Sequence, residues 1–282
     1  MKSFKAFWIF FYIVHHAFFL KVDGAESLVP ALYVFGDSSV DAGNNNNLHT
    51  HAKANVPPYG IDFNNNATGR FTNGKTFADL IAIKLGLPLQ PSYLGISDSK
   101  RYQVITGINY ASGACGILND TRDGECLSLD RQIEYFTSTV VNNLPKHKHL
   151  KNNIQSWGKK FVVGTVNQVG CSPNLYCNET INQMVKPCSD KLLMKVQEME
   201  KQFSGSMFVS SNGFNFFNKI KNDPKKYGFA NISKSCIQEG IPCANRKEHY
   251  FWDFGHITEA AVDIYANECF SGSKMCFPDV KN

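Results

Sequence analysis

The chain has 282 residues, of which 43% are hydrophobic and 19% are charged, and its formal net charge is +5 at pH 7. This length and hydrophobic content suffice for one substantial core, and no break in composition calls for a second domain. The positive charge is small and the lysines are spread along the chain, and the sequence contains no motif for nucleic-acid binding. We expect a single globular domain over 25–282, without cofactor or metal, and a monomer.

The first 24 residues have the layout of a secretory signal peptide. Lys2 and Lys5 precede an apolar segment over 7–20, and the small residues Gly24 and Ala25 follow it. A membrane anchor is the alternative interpretation, but the segment is too short to span a bilayer. We therefore expect 1–24 to be removed, no stable membrane span, and secretion to the extracellular space or cell wall.

Four Asn-x-Ser/Thr sequons agree with export. They are candidate glycosylation sites in a secreted chain, at Asn66, Asn119, Asn178 and Asn231. Each sequon alone is a weak signal.

All nine cysteines lie beyond the signal peptide. In an oxidising compartment we expect three local bridges, Cys115–Cys126, Cys236–Cys243 and Cys269–Cys276. Cys171 has two candidate partners, Cys177 and Cys188, and the odd count leaves at least one thiol unpaired. A metal site is the alternative for such clusters, but no Cys-x-x-Cys pattern supports one.

Short β-rich runs alternate with helical patterns along the chain. Four strands are predicted, at 31–35, 104–110, 161–166 and 207–211. Apolar periodicity predicts four helices, at 76–85, 129–141, 181–203 and 258–269. The alternation favours an α/β layered domain built around a parallel sheet.

The first predicted strand leads into a candidate nucleophile. Ser38 follows the apolar run 31–35, and Gly36 and Gly43 allow a tight backbone path at the carboxyl end of a buried strand. A strand followed by an Asx-rich turn is the alternative. The string over 35–46, Phe-Gly-Asp-Ser-Ser-Val-Asp-Ala-Gly-Asn-Asn-Asn, resembles the first signature block of the GDSL esterase/lipases, the plant branch of the SGNH hydrolases.

A serine nucleophile needs an imidazole base and a carboxylate that orients it. Asp253 and His256 stand three residues apart before a predicted helix, and 250–260 resembles the last GDSL block. The resemblance implies Ser38 as nucleophile, His256 as base and Asp253 as its orienting carboxylate. Ile257 stands where the block normally has proline, and we expect its absence to loosen the histidine.

A glycine-rich turn over 108–116 resembles the second block of the family. The resemblance implies that the backbone amides of Gly113 and Ser38 form an oxyanion hole, whereas a plain β-turn is the alternative. Further landmarks at 69–75, 160–173 and 223–229 extend the resemblance over nearly the whole mature chain.

The third block of the family, a buried strand ending in Gly-x-Asn-Asp, is absent. The chain is internally shortened around 145–160, where no apolar run could form a buried strand. The resemblance therefore implies a flavodoxin-like three-layer α/β/α fold that lacks its central third strand. It also implies an oxyanion hole without its asparagine, a loss that typically lowers turnover by about 10²–10³.

The resemblance as a whole implies a secreted serine ester hydrolase. Such an enzyme cleaves carboxylic esters of lipid or cell-wall acyl substrates through an acyl-enzyme intermediate. The missing block motivates an alternative from another class, a secreted pseudoenzyme or binding protein without useful chemistry. A third hypothesis is a truncated product that does not fold.

Overall fold

The structure is a computed structural model that describes residues 27–121, 125–146, 160–273, 275–278 and 280. The predicted signal peptide and the junction 147–159 lie outside these residues. Within them the chain forms five α-helices: α1 (Phe77–Lys84), α2 (Leu129–Ser138), α3 (Glu179–Gln202), α4 (Gly213–Asn222) and α5 (Glu259–Phe270).

The described strands are short: β1 (Lys160–Gly164), β2 (Met207–Ser211), β3 (Asn231–Ser235), β4 (Ile237–Gln238), β5 (Ile241–Pro242), β6 (His249–Phe251) and β7 (Cys276–Phe277). β1 and β2 pair in parallel from Lys160 opposite Met207 to Gly164 opposite Ser211. β7 pairs antiparallel with the other edge of β2. β3 pairs in parallel with β6, and β4 and β5 form a small antiparallel hairpin. The predicted α/β class with parallel pairing is confirmed.

The two predicted strands nearest the candidate nucleophile are extended segments that form single bridges. Val34 bridges Asn109 in parallel, and Asn109 also bridges Ser92. Backbone bonds run from Val34 N to Ile108 O at 3.1 Å and from Tyr110 N to Val34 O at 2.8 Å. The segment around Asn109 therefore lies between the other two and holds the end of 31–35 in place.

The parallel pairings form two separate sets. Among the described residues, no backbone hydrogen bond joins 31–36 to β1. Phe161 and Val162 of β1 are 42% and 36% exposed, which is unusual for a parallel strand, normally covered on both faces. The sequence before β1 contains no apolar run that predicts a strand joining the two sets.

The predicted helices occur where expected, with ends set by local chemistry. α1 begins at a capping box, in which Thr76 N donates to Asp79 Oδ2 and Asp79 N donates to the Thr76 hydroxyl. α2 is shorter than predicted, because the chain passes into a short π-helix at Thr139–Asn143. Thr258 caps α5 through a bond from Ala261 N.

Hydrophobic side chains fall into two clusters. The larger one joins α1, α4 and α5 to β2 and β6, with the fully buried residues Val209, Ile220 and Ala266 in it. The smaller one joins Tyr93, Ile108 and Tyr110, and aromatic residues of α2 pack against it. Phe251 of the larger cluster lies just before the 253–256 loop, and Phe35, which packs against the smaller cluster, lies just before the segment that carries Ser38.

Four disulfides are formed. They include the three predicted bridges, Cys115–Cys126, Cys236–Cys243 and Cys269–Cys276. Cys171 pairs with Cys177, and Cys188 is an exposed free thiol on α3. The alternative left open for Cys171 is thereby decided by the structure.

Candidate active site

Ser38, His256 and Asp253 are joined in series by hydrogen bonds. His256 Nε2 lies 2.7 Å from Ser38 Oγ, across a sequence separation of 218 residues. His256 Nδ1 lies 2.9 Å from Asp253 Oδ1 and 2.8 Å from Oδ2. An imidazole so placed accepts the serine proton on one nitrogen while the carboxylate holds the other.

The loop over 253–256 is rigid because its own carboxylate closes it. Asp253 Oδ1 accepts the backbone N–H groups of Gly255 and His256 at 2.8 Å each, an Asx-type turn. Trp252 N donates to His256 O at 2.8 Å, and Phe251 and Ile257 form an antiparallel bridge. These bonds hold the backbone of the histidine in the absence of a proline at 257.

The Asp253 side chain is 6% exposed, and its pKa results from opposing effects. Burial raises the pKa of Asp253, but hydrogen bonds and the charge of His256 lower it, as do the Gly255 N–H and the Tyr59 hydroxyl. The net pKa lies below the ordinary value, so the carboxylate is ionised at neutral pH. The charge is available to stabilise an imidazolium.

The segment before Ser38 is fixed by a buried glutamine of α2. Gln132 Oε1 accepts Gly36 N–H at 2.9 Å, and Gln132 Nε2 donates to Gly36 O at 3.0 Å. The side chain thus bonds to the Gly36 peptide groups as a neighbouring strand would. Sequence reasoning missed Gln132, because nothing in its spacing relates it to residue 36.

Gly113 differs from its expected role. Its N–H is donated to Asp41 Oδ2 at 3.0 Å and to Asn45 Oδ1 at 3.1 Å. The hydrogen predicted to stabilise an oxyanion is therefore already shared between two buried acceptors. A Cβ on Gly113 would lie 2.6 Å from the Phe71 ring, which packs 5.1 Å from the His256 ring, so the glycine provides room for this contact.

Two backbone N–H groups in these loops have no acceptor among the described residues. Neither Ser38 N nor Ala114 N donates to any described residue. Ala114 has a φ of 61°, the left-handed region that is uncommon outside glycine. The second-block loop thus turns sharply at the residue after Gly113 and leaves that residue's N–H available.

The asparagines after the nucleophile are structural. Asn44 Nδ2 donates to Asn109 O and Ala111 O, and its Oδ1 accepts from Leu94 N. Asn45 Nδ2 donates to Gly113 O, and its Oδ1 accepts from Ser112. Their amides join the nucleophile loop to the second-block loop and are not free to replace the missing third-block asparagine.

Three potential metal ligands lie close together, but two of them are joined in a disulfide. Ligand atoms of Cys236, Cys243 and His249 lie within 4.8 Å of one another, and the first two form a bridge. Bridged sulfurs are not the thiolates that bind zinc. These three residues therefore do not offer thiolate ligands to a metal ion.

The fold and the site together define a protein of the α/β class in which a serine, an imidazole and a carboxylate are joined in series. Residues 32–149 match the family described as GDSL-like Lipase/Acylhydrolase. GDSL esterase/lipase At1g71691 of Arabidopsis thaliana is 31% identical, with 90% of this chain and 85% of the relative aligned. At5g08460 and At2g04020 of the same plant are 32% and 34% identical, over 91% and 88% of this chain and 88% and 86% of the relatives. The chain therefore belongs to the GDSL esterase/lipase family, whose class is the carboxylic ester hydrolases.

The alignments to two of these relatives are longer than the chain. They extend over 329 positions for At1g71691 and 339 for At5g08460, against the 282 residues present here. Each alignment therefore contains positions of the relative that face no residue of this chain. The alignment to At2g04020 extends over 279.

Proposed function

We propose that the protein hydrolyses carboxylic esters through an acyl-enzyme formed on Ser38. The observation that carries this proposal is the series of bonds from Ser38 Oγ to His256 and from His256 to Asp253. Ser38 Oγ attacks the acyl carbon while His256 Nε2 takes its proton. His256 then gives that proton to the leaving alcohol, and water repeats the sequence to release the acid.

The oxyanion of each tetrahedral intermediate needs hydrogen-bond donors that are free before reaction. We place this role on the backbone N–H groups of Ser38 and Ala114, which have no partner among the described residues. This replaces Gly113, whose N–H is committed to Asp41 and Asn45. Gly113 then acts by fixing the turn that presents Ala114.

The acyl group is proposed to be that of a lipid or cell-wall ester. Phe254 is 65% exposed and its ring lies 6.4 Å from the His256 ring, so an exposed apolar surface lies beside the candidate base. Such a surface favours contact with a hydrocarbon chain over contact with a charged group.

Secretion is proposed on two grounds, the disulfides and the sequons. Four disulfides are formed, which is typical of oxidising compartments. Three sequon asparagines are exposed, Asn66, Asn119 and Asn178, and Asn231 is half-buried. None of the described helices is long and apolar enough to cross a bilayer. Expression in a eukaryotic host tests the proposal, because a secreted glycoprotein is found in the medium and loses mass with an endoglycosidase.

Ser38→Ala tests the activity on a short p-nitrophenyl ester. Hydrolysis is expected to fall by about 10³ or more, because the nucleophile of the series is gone. Ser39→Ala is the matched control, since the neighbouring hydroxyl donates to Asp37 Oδ1 and not to His256. Hydrolysis that survives in Ser38→Ala would exclude the proposed mechanism.

A pseudoenzyme is the second candidate. It is favoured by the alignment positions without a counterpart in this chain, and by the absence of a Gly-x-Asn-Asp block. A fluorophosphonate probe discriminates the two, because covalent labelling requires an activated serine. Labelling of the wild type but not of Ser38→Ala supports the hydrolase, and no labelling of either supports the pseudoenzyme.

A further inference from the structure

Asp253 accepts one hydrogen bond from outside its own loop. The Tyr59 hydroxyl donates to Asp253 Oδ2 at 2.8 Å, across 194 residues of sequence. We propose that Tyr59 is a positioning residue, whose hydroxyl sets the rotation and the charge of the Asp253 carboxylate and through it the orientation of His256. This inference rests on the proposed function.

The distribution of donors explains why a fourth donor group is needed at this carboxylate. The backbone donors of Gly255 and His256 both point to Oδ1, while His256 Nδ1 lies nearly midway between the two oxygens. The final torsion of an aspartate is broad and is not fixed by rotamer preference. Tyr59 on Oδ2 opposes the donors on Oδ1, so both oxygens stay turned toward the imidazole.

The Tyr59 ring is itself held in place. It forms T-shaped contacts with the Phe71 and Trp252 rings, whose centroids lie 6.3 Å and 6.4 Å away. The backbone N–H of Tyr59 donates to Val56 O at 3.1 Å. Phe71 also packs against His256, so one aromatic group supports both ends of the Asp–His pair. A hydroxyl on a ring fixed in this way is a directional donor.

The hydroxyl remains a donor throughout the working range of an esterase. Burial raises the pKa of Tyr59 well above its ordinary value, and the neighbouring Asp253 charge raises it further. Among the described residues, the titratable groups that contact Asp253 are Tyr59 and His256. The charge state of the carboxylate therefore depends on these two partners and on the Gly255 and His256 N–H groups.

Tyr59→Phe removes the hydroxyl and keeps the ring. Turnover of p-nitrophenyl acetate is expected to fall roughly tenfold in kcat, the scale of one lost bond to a charged group, with KM little changed. A carboxylate with one donor fewer binds the imidazolium more strongly. The acidic limb of the kcat/KM profile, which requires a neutral imidazole, is therefore expected to move to higher pH.

Tyr110→Phe is the matched control. It removes a buried hydroxyl that also donates over 2.8 Å, but to Thr139 Oγ1 and away from the triad. Its thermal midpoint is expected to fall while kcat and the pH profile stay those of the wild type. Thermal melts of both variants confirm that folded protein is compared.

The outcomes separate this assignment from the proposed function. If Ser38→Ala is inactive and Tyr59→Phe has the kcat and pH profile of the wild type, the role of Tyr59 is refuted and the function stands. If Ser38→Ala remains active, both fail together. A tenfold loss in Tyr110→Phe as well would also refute the assignment, since the effect would then be general destabilisation.

Discussion

Asp41 is fully buried, and its pKa is shifted in the direction opposite to that of Asp253. Its Oδ1 accepts the N–H groups of Gly43 and Asn44 at 2.7 Å and 2.8 Å, and its Oδ2 accepts Gly113 N–H. Burial raises the pKa of Asp41 to about 6, although these donors lower it. The folded protein therefore holds this proton more tightly than the unfolded chain. The protonated Asp41 carboxyl therefore stabilises the folded protein. This stabilisation is complete below the pKa of Asp41 in the unfolded chain, near 4, and is lost as the pH rises through about 6.

The asparagine of the Asp41→Asn variant does not titrate. The difference in unfolding free energy between the variant and the wild type therefore depends on pH. We expect the loss of unfolding free energy to be larger at pH 4 than at pH 7, by roughly 2–3 kcal/mol. Urea unfolding of both proteins at the two pH values measures it. Asp62→Asn is a control of opposite sign, because Arg246 holds the pKa of Asp62 below its usual range. A larger cost of Asp41→Asn at pH 7 would contradict the raised pKa.

The predictability of the site differs from residue to residue. Ser38, Asp253 and His256 were predictable because each lies in a short block of sequence, and the structure brings them together. The role of Gly113 was not, because the direction of an N–H depends on the φ and ψ of the turn. Tyr59 was missed because contacts across 194 residues leave no periodic signal.

At the scale of elements, α1 depends on one buried ion pair. Arg70 donates to both oxygens of Asp79, over 2.7 Å and 2.8 Å, and the two side chains are 7% and 4% exposed. The same carboxylate accepts Thr76 N in the capping box. One aspartate thus begins the helix and neutralises a guanidinium that has almost no access to water.

Asp79→Asn is expected to lower the unfolding free energy by about 3–5 kcal/mol, because it leaves the Arg70 charge buried without a partner. Denaturant unfolding at neutral pH measures the loss. Glu134→Gln is the comparison: it breaks the exposed pair with Arg131, whose side chains are 62% and 58% exposed, and is expected to cost less than about 1 kcal/mol. Equal costs for the two variants would contradict the role given to burial.

Elements with strong local signals were predicted better than those fixed by distant partners. α3 and α5 follow apolar periodicity and are preceded by the N-cap residues Asn178 and Thr258, whose residue types favour that position. β3 was missed, because its sequence Asn-Ile-Ser-Lys-Ser is polar and its partner β6 lies further along the chain. The runs at 31–35 and 104–110 were found, but their pairing is limited to single bridges.

At the scale of the molecule, β1 is an edge in the described part of the chain. Thr165 N donates to Ser211 O at 2.9 Å, so alternation directs Val163 N–H to β2 as well. The N–H groups of Val162 and Gly164 point to the opposite side, where no described strand pairs with β1. Their exchange with solvent deuterium is expected to be at least about tenfold faster than that of Val163 and Thr165. Equal protection would show that this edge is covered in solution.

Every disulfide closes a short loop, with sequence separations of 11, 6, 7 and 7. One bridge lies before residue 127, and the other three lie after 170. A single peptide-bond cleavage between these positions therefore leaves two halves with no covalent link, one carrying Ser38 and the other carrying His256. In the nicked protein, the Ser38–His256 contact becomes an association between two molecules, and catalysis then depends on protein concentration.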